Sequence, residues 1–182
     1  MADVTLDKSV RTNVVLIGFM GTGKTSIGKL VACSLGYKFV DTDAMIVKRA
    51  GKPITRIFAD DGEEAFRDLE TAVLRDLGER KKLVISTGGG IVLREENRKL
   101  LRDAGYSVWL TAAPETIYGR VVGNRDRPLL KTKSPRETIT TMMAEREALY
   151  SEASDLKVET DNLSLDEVGY GVVECARMRF GE

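Results

Sequence analysis

Residues 18–25 read Gly-Phe-Met-Gly-Thr-Gly-Lys-Thr, a glycine-spaced run closed by Lys-Thr and set between an apolar stretch and an amphipathic one. Glycines at 18, 21 and 23 let the backbone curl with its N–H groups turned inward, which makes an anion nest at a helix N-terminus. Lys24 then supplies a point charge for β- and γ-phosphates, and Thr25 offers a hydroxyl to a divalent cation. The pattern G-x-x-x-x-G-K-[ST] carries this chemistry only where a strand precedes it and a helix follows. Both conditions are met. Asn13–Ile17 is a short β-branched run suited to a buried strand, and Ile27, Leu30, Val31 and Leu35 recur at helical spacing before a stop at Gly36. The run therefore implies a nucleoside triphosphate held by Gly21, Thr22, Gly23, Lys24, Thr25 and Ser26.

Beyond the loop, strand-like and helical patterns alternate, the signature of a parallel sheet covered by helices. Strands are predicted at Asn13–Ile17, Lys38–Val40, Leu83–Thr87, Tyr106–Leu110 and Leu156–Glu159. Helices are predicted near Lys24–Leu35, Asp43–Ala50, Glu63–Leu77, Arg94–Ala104, Pro114–Val122, Pro135–Tyr150 and Leu165–Arg179. The expected fold is α/β, a three-layer sandwich with a five-stranded parallel sheet, in one domain spanning 1–182. Ser134-Pro135-Arg136-Glu137 and Ser164-x-x-Glu167 both read as capping boxes at helix starts.

Twenty-eight basic residues balance 28 acidic ones, so nothing in the charge suggests affinity for nucleic acid or an anionic membrane. Any anion site must come from local clustering. The chain has no histidine, which removes the commonest general base and metal ligand. Its two cysteines, Cys33 and Cys175, are far apart and are expected to be buried thiols in a reducing compartment. No apolar run approaches the roughly 20 residues of a membrane span, and residues 1–12 are polar with mixed charge. The expectation is a cytoplasmic monomer with a loose tail over 1–12.

Two segments break the alternation. In 41–78, two or three helices replace a single crossover, and 123–134 is a polar stretch with Arg125, Arg127, Lys131 and Lys133. In a triphosphate-binding protein, such segments carry the second substrate and a lid. Asp41-Thr42-Asp43 follows the second strand, so both carboxylates should emerge at the carboxyl edge beside the phosphate loop. The third strand runs into Ser86-Thr87-Gly88-Gly89-Gly90 with no aspartate for a magnesium ion, which leaves Asp41 as the carboxylate to join Thr25. Asp43, further into the cleft, is the candidate to orient an attacking hydroxyl or accept its proton. The triple glycine allows a small ligand to approach bare backbone. Arg67 and Arg146 read equally well as anion ligands or as charged helix faces, Arg67 pairing with Glu70 at i,i+3.

Five elements in this order resemble the shikimate kinase family of small phosphate-loop kinases, from about Asn13 to Asp161. They are the loop at 18–25, Asp-Thr-Asp at 41–43, Phe-x-x-x-Gly-Glu-x-x-Phe-Arg-x-x-Glu at 58–70, Thr-Gly-Gly-Gly at 87–90, and Arg-Pro-Leu-Leu followed by Arg-x-x-Leu-Tyr. The resemblance implies ATP- and Mg²⁺-dependent phosphorylation of the 3-hydroxyl of shikimate. It implies that Asp43 binds the substrate hydroxyls and serves as base, with Lys24 and Arg127 completing the catalytic set. Arg67 and Arg146 would hold the carboxylate, with Gly88, Gly89 and Gly90 lining the site. Arg127 would reach the transferred phosphate from a mobile lid over 120–134, Arg120 would pack on adenine, and Thr25 and Asp41 would hold the metal. Thr160–Ser164 departs from the family in lacking a proline beside the base. A related kinase for gluconate or a nucleoside monophosphate, and a non-catalytic nucleotide-binding regulator, are the alternatives.

Overall fold

The computed structural model describes residues 12–122 and 134–181. Five strands form one parallel sheet: β1 (Val14–Ile17), β2 (Lys38–Asp41), β3 (Leu83–Ser86), β4 (Tyr106–Thr111) and β5 (Leu156–Glu159), in the order β2-β3-β1-β4-β5. Among the described residues eight α-helices flank them: α1 (Lys24–Leu35), α2 (Thr42–Ala50), α3 (Ile54–Asp60), α4 (Gly62–Gly78), α5 (Glu95–Ala104), α6 (Pro114–Val121), α7 (Pro135–Ala153) and α8 (Leu165–Phe180). Each predicted strand and helix is present, with ends displaced by no more than a few residues.

β1 explains the three layers. All four of its residues are fully buried, and successive side chains of a strand point to opposite faces. Val14 and Leu16 join Ile27 and Val31 of α1 and Val168 and Val172 of α8 in one core. Val15 and Ile17 join Ile46, Ile57, Leu74, Leu101 and Tyr150 of the helices on the other face. Such a central strand reads as a continuous apolar run because neither face meets water.

The edge of the sheet opposite the phosphate loop is tied by Asn13, which is 1% exposed. Its side-chain amide donates to the carbonyls of Arg80 (2.6 Å) and Ala104 (3.0 Å), and its Oδ1 accepts from the Leu83 N–H (2.9 Å). One side chain thereby joins the starts of β1, β3 and β4. Among the described residues no helix is long and apolar enough to cross a membrane.

Two local expectations need correction. Cys33 is exposed and Cys175 half-buried, because the buried stripe of α1 runs through Ile27, Gly28, Val31 and Ala32 and leaves Cys33 to one side. Ser134 stands at the N-cap of α7, but its side chain makes no capping hydrogen bond; its carbonyl accepts from Thr138 instead. The box at Ser164 does form, with Glu167 and Ser164 bonding reciprocally. The 41–78 segment holds three helices, α2, α3 and α4, within the two or three expected there, and α3 is a separate seven-residue helix.

Candidate active site

The phosphate loop joins β1 to α1 at the carboxyl edge of the sheet. Gly18, Gly21 and Gly23 have φ of 140°, 79° and 90°, conformations that side-chain-bearing residues rarely adopt. Gly23 is the N-cap of α1 and has no side chain to cap it, which suits a helix start that binds an anion. The Thr22 hydroxyl donates to the Phe19 carbonyl at 2.8 Å and closes the turn. Lys24, 8% exposed, lies across the loop and donates to the carbonyls of Gly18 (2.7 Å) and Phe19 (2.8 Å).

β2 and β3 bring their ends beside α1. Asp41 divides its carboxylate between two tasks. Oδ1 caps α2 by accepting from the N–H groups of Asp43 (3.0 Å) and Ala44 (3.2 Å), while Oδ2 accepts from the Thr25 hydroxyl at 3.3 Å. Ser86, the last residue of β3, has its hydroxyl 3.5 Å from that of Thr25. Capping and metal-binding readings of Asp41, which compete on sequence, are compatible because each uses a different oxygen. Thr25, Asp41 and Ser86 form an all-oxygen donor set of the kind that suits Mg²⁺. Among the described residues no group of three or more His, Cys, Asp or Glu side chains is placed to hold a metal ion.

The three glycines after β3 each face a different partner. A Cβ on Gly88 would sit 2.7 Å from Asp43 Oδ1 and 3.1 Å from Glu70 Oε1. One on Gly89 would sit 3.2 Å from the backbone nitrogen of Met20, inside the phosphate loop. One on Gly90 would strike the Arg67 guanidinium, 2.8 Å from Nη2. The glycines form a bare shelf between the loop and the groups expected to hold the acceptor. Thr42, the middle residue of Asp-Thr-Asp, is fully buried and fixes the shelf by accepting from the Gly88 N–H at 3.2 Å.

Arg67 and Arg146 approach the shelf from different helices. Arg67, on α4, donates from Nη1 to Glu70 (2.6 Å) and from Nη2 to Glu63 (2.8 Å). The i,i+3 pair anticipated from the sequence thus exists, but it is 7% exposed and packed under Gly90 rather than lying on a solvated face. Glu70 is fully buried; burial pushes its carboxyl above the usual range, Arg67 opposes that shift and nearby Asp43 adds to it. Glu70 Oε1 has no hydrogen-bond partner among the described residues. Arg146, on α7, is 8% exposed, lies over the Phe19 ring and donates to the Gly89 carbonyl at 3.3 Å.

On the other side of the loop a cavity of about 450 Å³ is lined by Gly21, Thr22, Gly23, Ser26, Arg120, Thr160, Leu163 and Leu165, among others. Arg120 is held there by the Gly21 carbonyl (3.2 Å) and by the hydroxyl (3.1 Å) and carbonyl (3.0 Å) of Thr160. Thr160 is itself tied to β4 through the Thr111 carbonyl. Leu163 and Leu165 supply apolar surface to its wall. Arg127 and the rest of 123–133 lie outside the described residues.

Sequence reading missed three contributors: Thr42, Ser86 and Tyr150, whose hydroxyl donates to the Gly89 carbonyl. Tyr150 had a signal, since it closes the Arg-x-x-Leu-Tyr element. The others act across strands or helix faces and carry no local mark.

A model of the shikimate kinase family matches residues 20–177 of the chain. The chain belongs to the shikimate kinase family. The shikimate kinase of Geobacter sulfurreducens is 50% identical over 156 residues, 86% of each chain. A solved shikimate kinase from Acinetobacter baumannii, in complex with shikimate, superposes with a TM-score of 0.87 at 34% identity, covering 90% of this chain and 92% of that one. A gluconokinase from Sinorhizobium meliloti reaches a TM-score of 0.53 at 19% identity, a likeness of fold alone. The family match includes most of α8, which packs Val168, Val172 and Ala176 in one core with α1.

Proposed function

We propose that the protein transfers the γ-phosphoryl group of ATP to the 3-hydroxyl of shikimate, giving shikimate 3-phosphate and ADP. The observation that carries this reading is the glycine shelf. It sets a carboxylate (Asp43), a guanidinium (Arg67) and the phosphate loop against three consecutive residues, an arrangement suited to a small anionic polyol beside a triphosphate.

Residues 41–78 form the acceptor region in this reading. Arg67 and Arg146 take the carboxylate of shikimate, and Asp43 takes the hydroxyl that will attack. The bare backbone of Gly88, Gly89 and Gly90 lets the ring lie close to the loop. Phosphoryl transfer needs mainly in-line positioning and charge neutralisation. Lys24 and the loop N–H groups hold the β- and γ-phosphates, and Arg127 supplies further positive charge for the transferred group. The cavity beside Arg120 takes the nucleoside, with the guanidinium plane against adenine. Thr25 and Asp41 would hold Mg²⁺. When bound, the ion neutralises negative charge on the phosphate oxygens. Asp43 then orients the 3-hydroxyl and accepts its proton as the new O–P bond forms.

A coupled ADP-release assay with Mg-ATP and shikimate, gluconate, a nucleoside monophosphate or no acceptor tests the reading. Turnover is expected with shikimate alone. Equal or faster turnover with gluconate, or silence with shikimate in a sample that binds ATP, would overturn it.

Arg67→Lys keeps a positive charge beside buried Glu70 while removing the planar fork. It is expected to raise KM for shikimate by about ten- to a hundredfold, the loss of a charge-assisted bidentate contact, with KM for ATP within about twofold. A parallel rise in both constants would place Arg67 outside the acceptor subsite.

A further inference from the structure

The carbonyl oxygen of Gly89 accepts two hydrogen bonds from α7, one from the Tyr150 hydroxyl and one from Arg146 Nη1 at 3.3 Å. Tyr150 is 2% exposed, and its ring stacks on Trp109 with centroids 5.6 Å apart and 21° between planes. Burial pushes its hydroxyl up to about 12, so it remains a neutral donor across the working range of an enzyme. Gly89 is packed on its other side against Met20 and Gly18 of the phosphate loop.

Arg146 has competing demands. A guanidinium that turns its fork to a carboxylate has to release the carbonyl that one of its Nη groups was serving. A buried acceptor abandoned by its donor is costly unless a second donor stays behind. Tyr150 is that second donor, on the same helix and one turn further along.

We propose that Tyr150 is a positioning residue for the acceptor site: its hydroxyl keeps the Gly89 carbonyl satisfied, so that Arg146 is released to the substrate carboxylate without disturbing the shelf. The inference rests on the reading of Arg146 as a carboxylate ligand for shikimate. It makes the tyrosine hydroxyl matter more in the bound state, where it is the remaining donor, than in the free state, where Arg146 shares the task.

Tyr150→Phe removes the hydroxyl and keeps the stacked ring. It is expected to raise KM for shikimate about tenfold, equivalent to ~1.4 kcal/mol. KM for ATP should stay within about twofold and Tm within about 3 °C of the parent. In an Arg146→Met background the same change should raise KM for shikimate by less than about twofold, because no guanidinium is left to be released and the carbonyl loses its donor equally in free and bound states. An unchanged KM for shikimate in Tyr150→Phe would overturn the proposal. So would an equal penalty in both backgrounds, or a joint rise of both KM values with a lowered Tm. Failure of the parent enzyme to phosphorylate shikimate would instead overturn the acceptor assignment, and that result is read before any variant is made.

Discussion

Asp43→Asn is expected to lower kcat for shikimate phosphorylation by about a thousandfold while KM for ATP stays within about twofold. Asp43 lies in the first turn of α2, where Asp41 caps the helix and accepts from the Asp43 N–H, so its backbone is fixed independently of its side chain. Its Oδ1 faces Gly88 on the acceptor side of the phosphate loop. Asparagine preserves shape and can still hydrogen-bond a hydroxyl, but it cannot take the proton and carries no charge for the helix N-terminus. The second loss costs only about 0.3–1 kcal/mol of stability, so the variant should fold. Steady-state kinetics on the purified variant, with shikimate affinity from calorimetry, separate the two roles. A fall of less than about tenfold in kcat would assign Asp43 to orientation alone, since a loose transition state asks little of a base.

Gly18→Ala is expected to produce the largest loss of stability, about 4 kcal/mol, equivalent to roughly 8–16 °C in Tm for a chain of this size. Two penalties coincide there. Gly18 has φ of 140°, and a Cβ would overlap the main-chain oxygen of Leu110 while coming within 3.2 Å of Thr22 Oγ1. Leu110 lies within β4 and is paired with Val158 of β5, so that oxygen cannot move far without disturbing the ladder there. Gly119→Ala is the matching control, because a Cβ on Gly119 in α6 meets nothing within 4 Å. Thermal unfolding of the two variants decides the matter: similar midpoints would mean that the tight passage between β1 and β4 relaxes easily.

Much of this architecture can be read before any coordinates are seen, for physical reasons specific to each element. The phosphate loop is legible because its chemistry fixes glycine spacing, and the alternation of apolar runs with amphipathic ones is legible because a parallel sheet needs helical crossovers. Strand order is not, since nothing local in Leu83–Ser86 says that it lies between β2 and β1. Cys33 misled because thiol burial is a tendency of the residue type, whereas its position on α1 is set by helical phase. Arg67 and Arg146 stood level between ion pair and ligand on sequence alone. Arg67 is a buried ion pair that also packs under the shelf, and whether it meets a carboxylate there is left to the kinetics proposed above. Thr42 and Ser86 stayed hidden because each works by reaching a residue distant in sequence.

The stacking of Trp109 on Tyr150 has a practical side. The chain contains one tryptophan, 6% exposed, with the Lys157 ammonium 4.5 Å from the ring centroid and the ring that holds Gly89 on a face. All indole emission from this molecule therefore originates at one point, a single side chain away from the acceptor shelf. Any spectral change on adding a ligand is a signal from that spot, with no label attached and no second fluorophore of its kind to blur it.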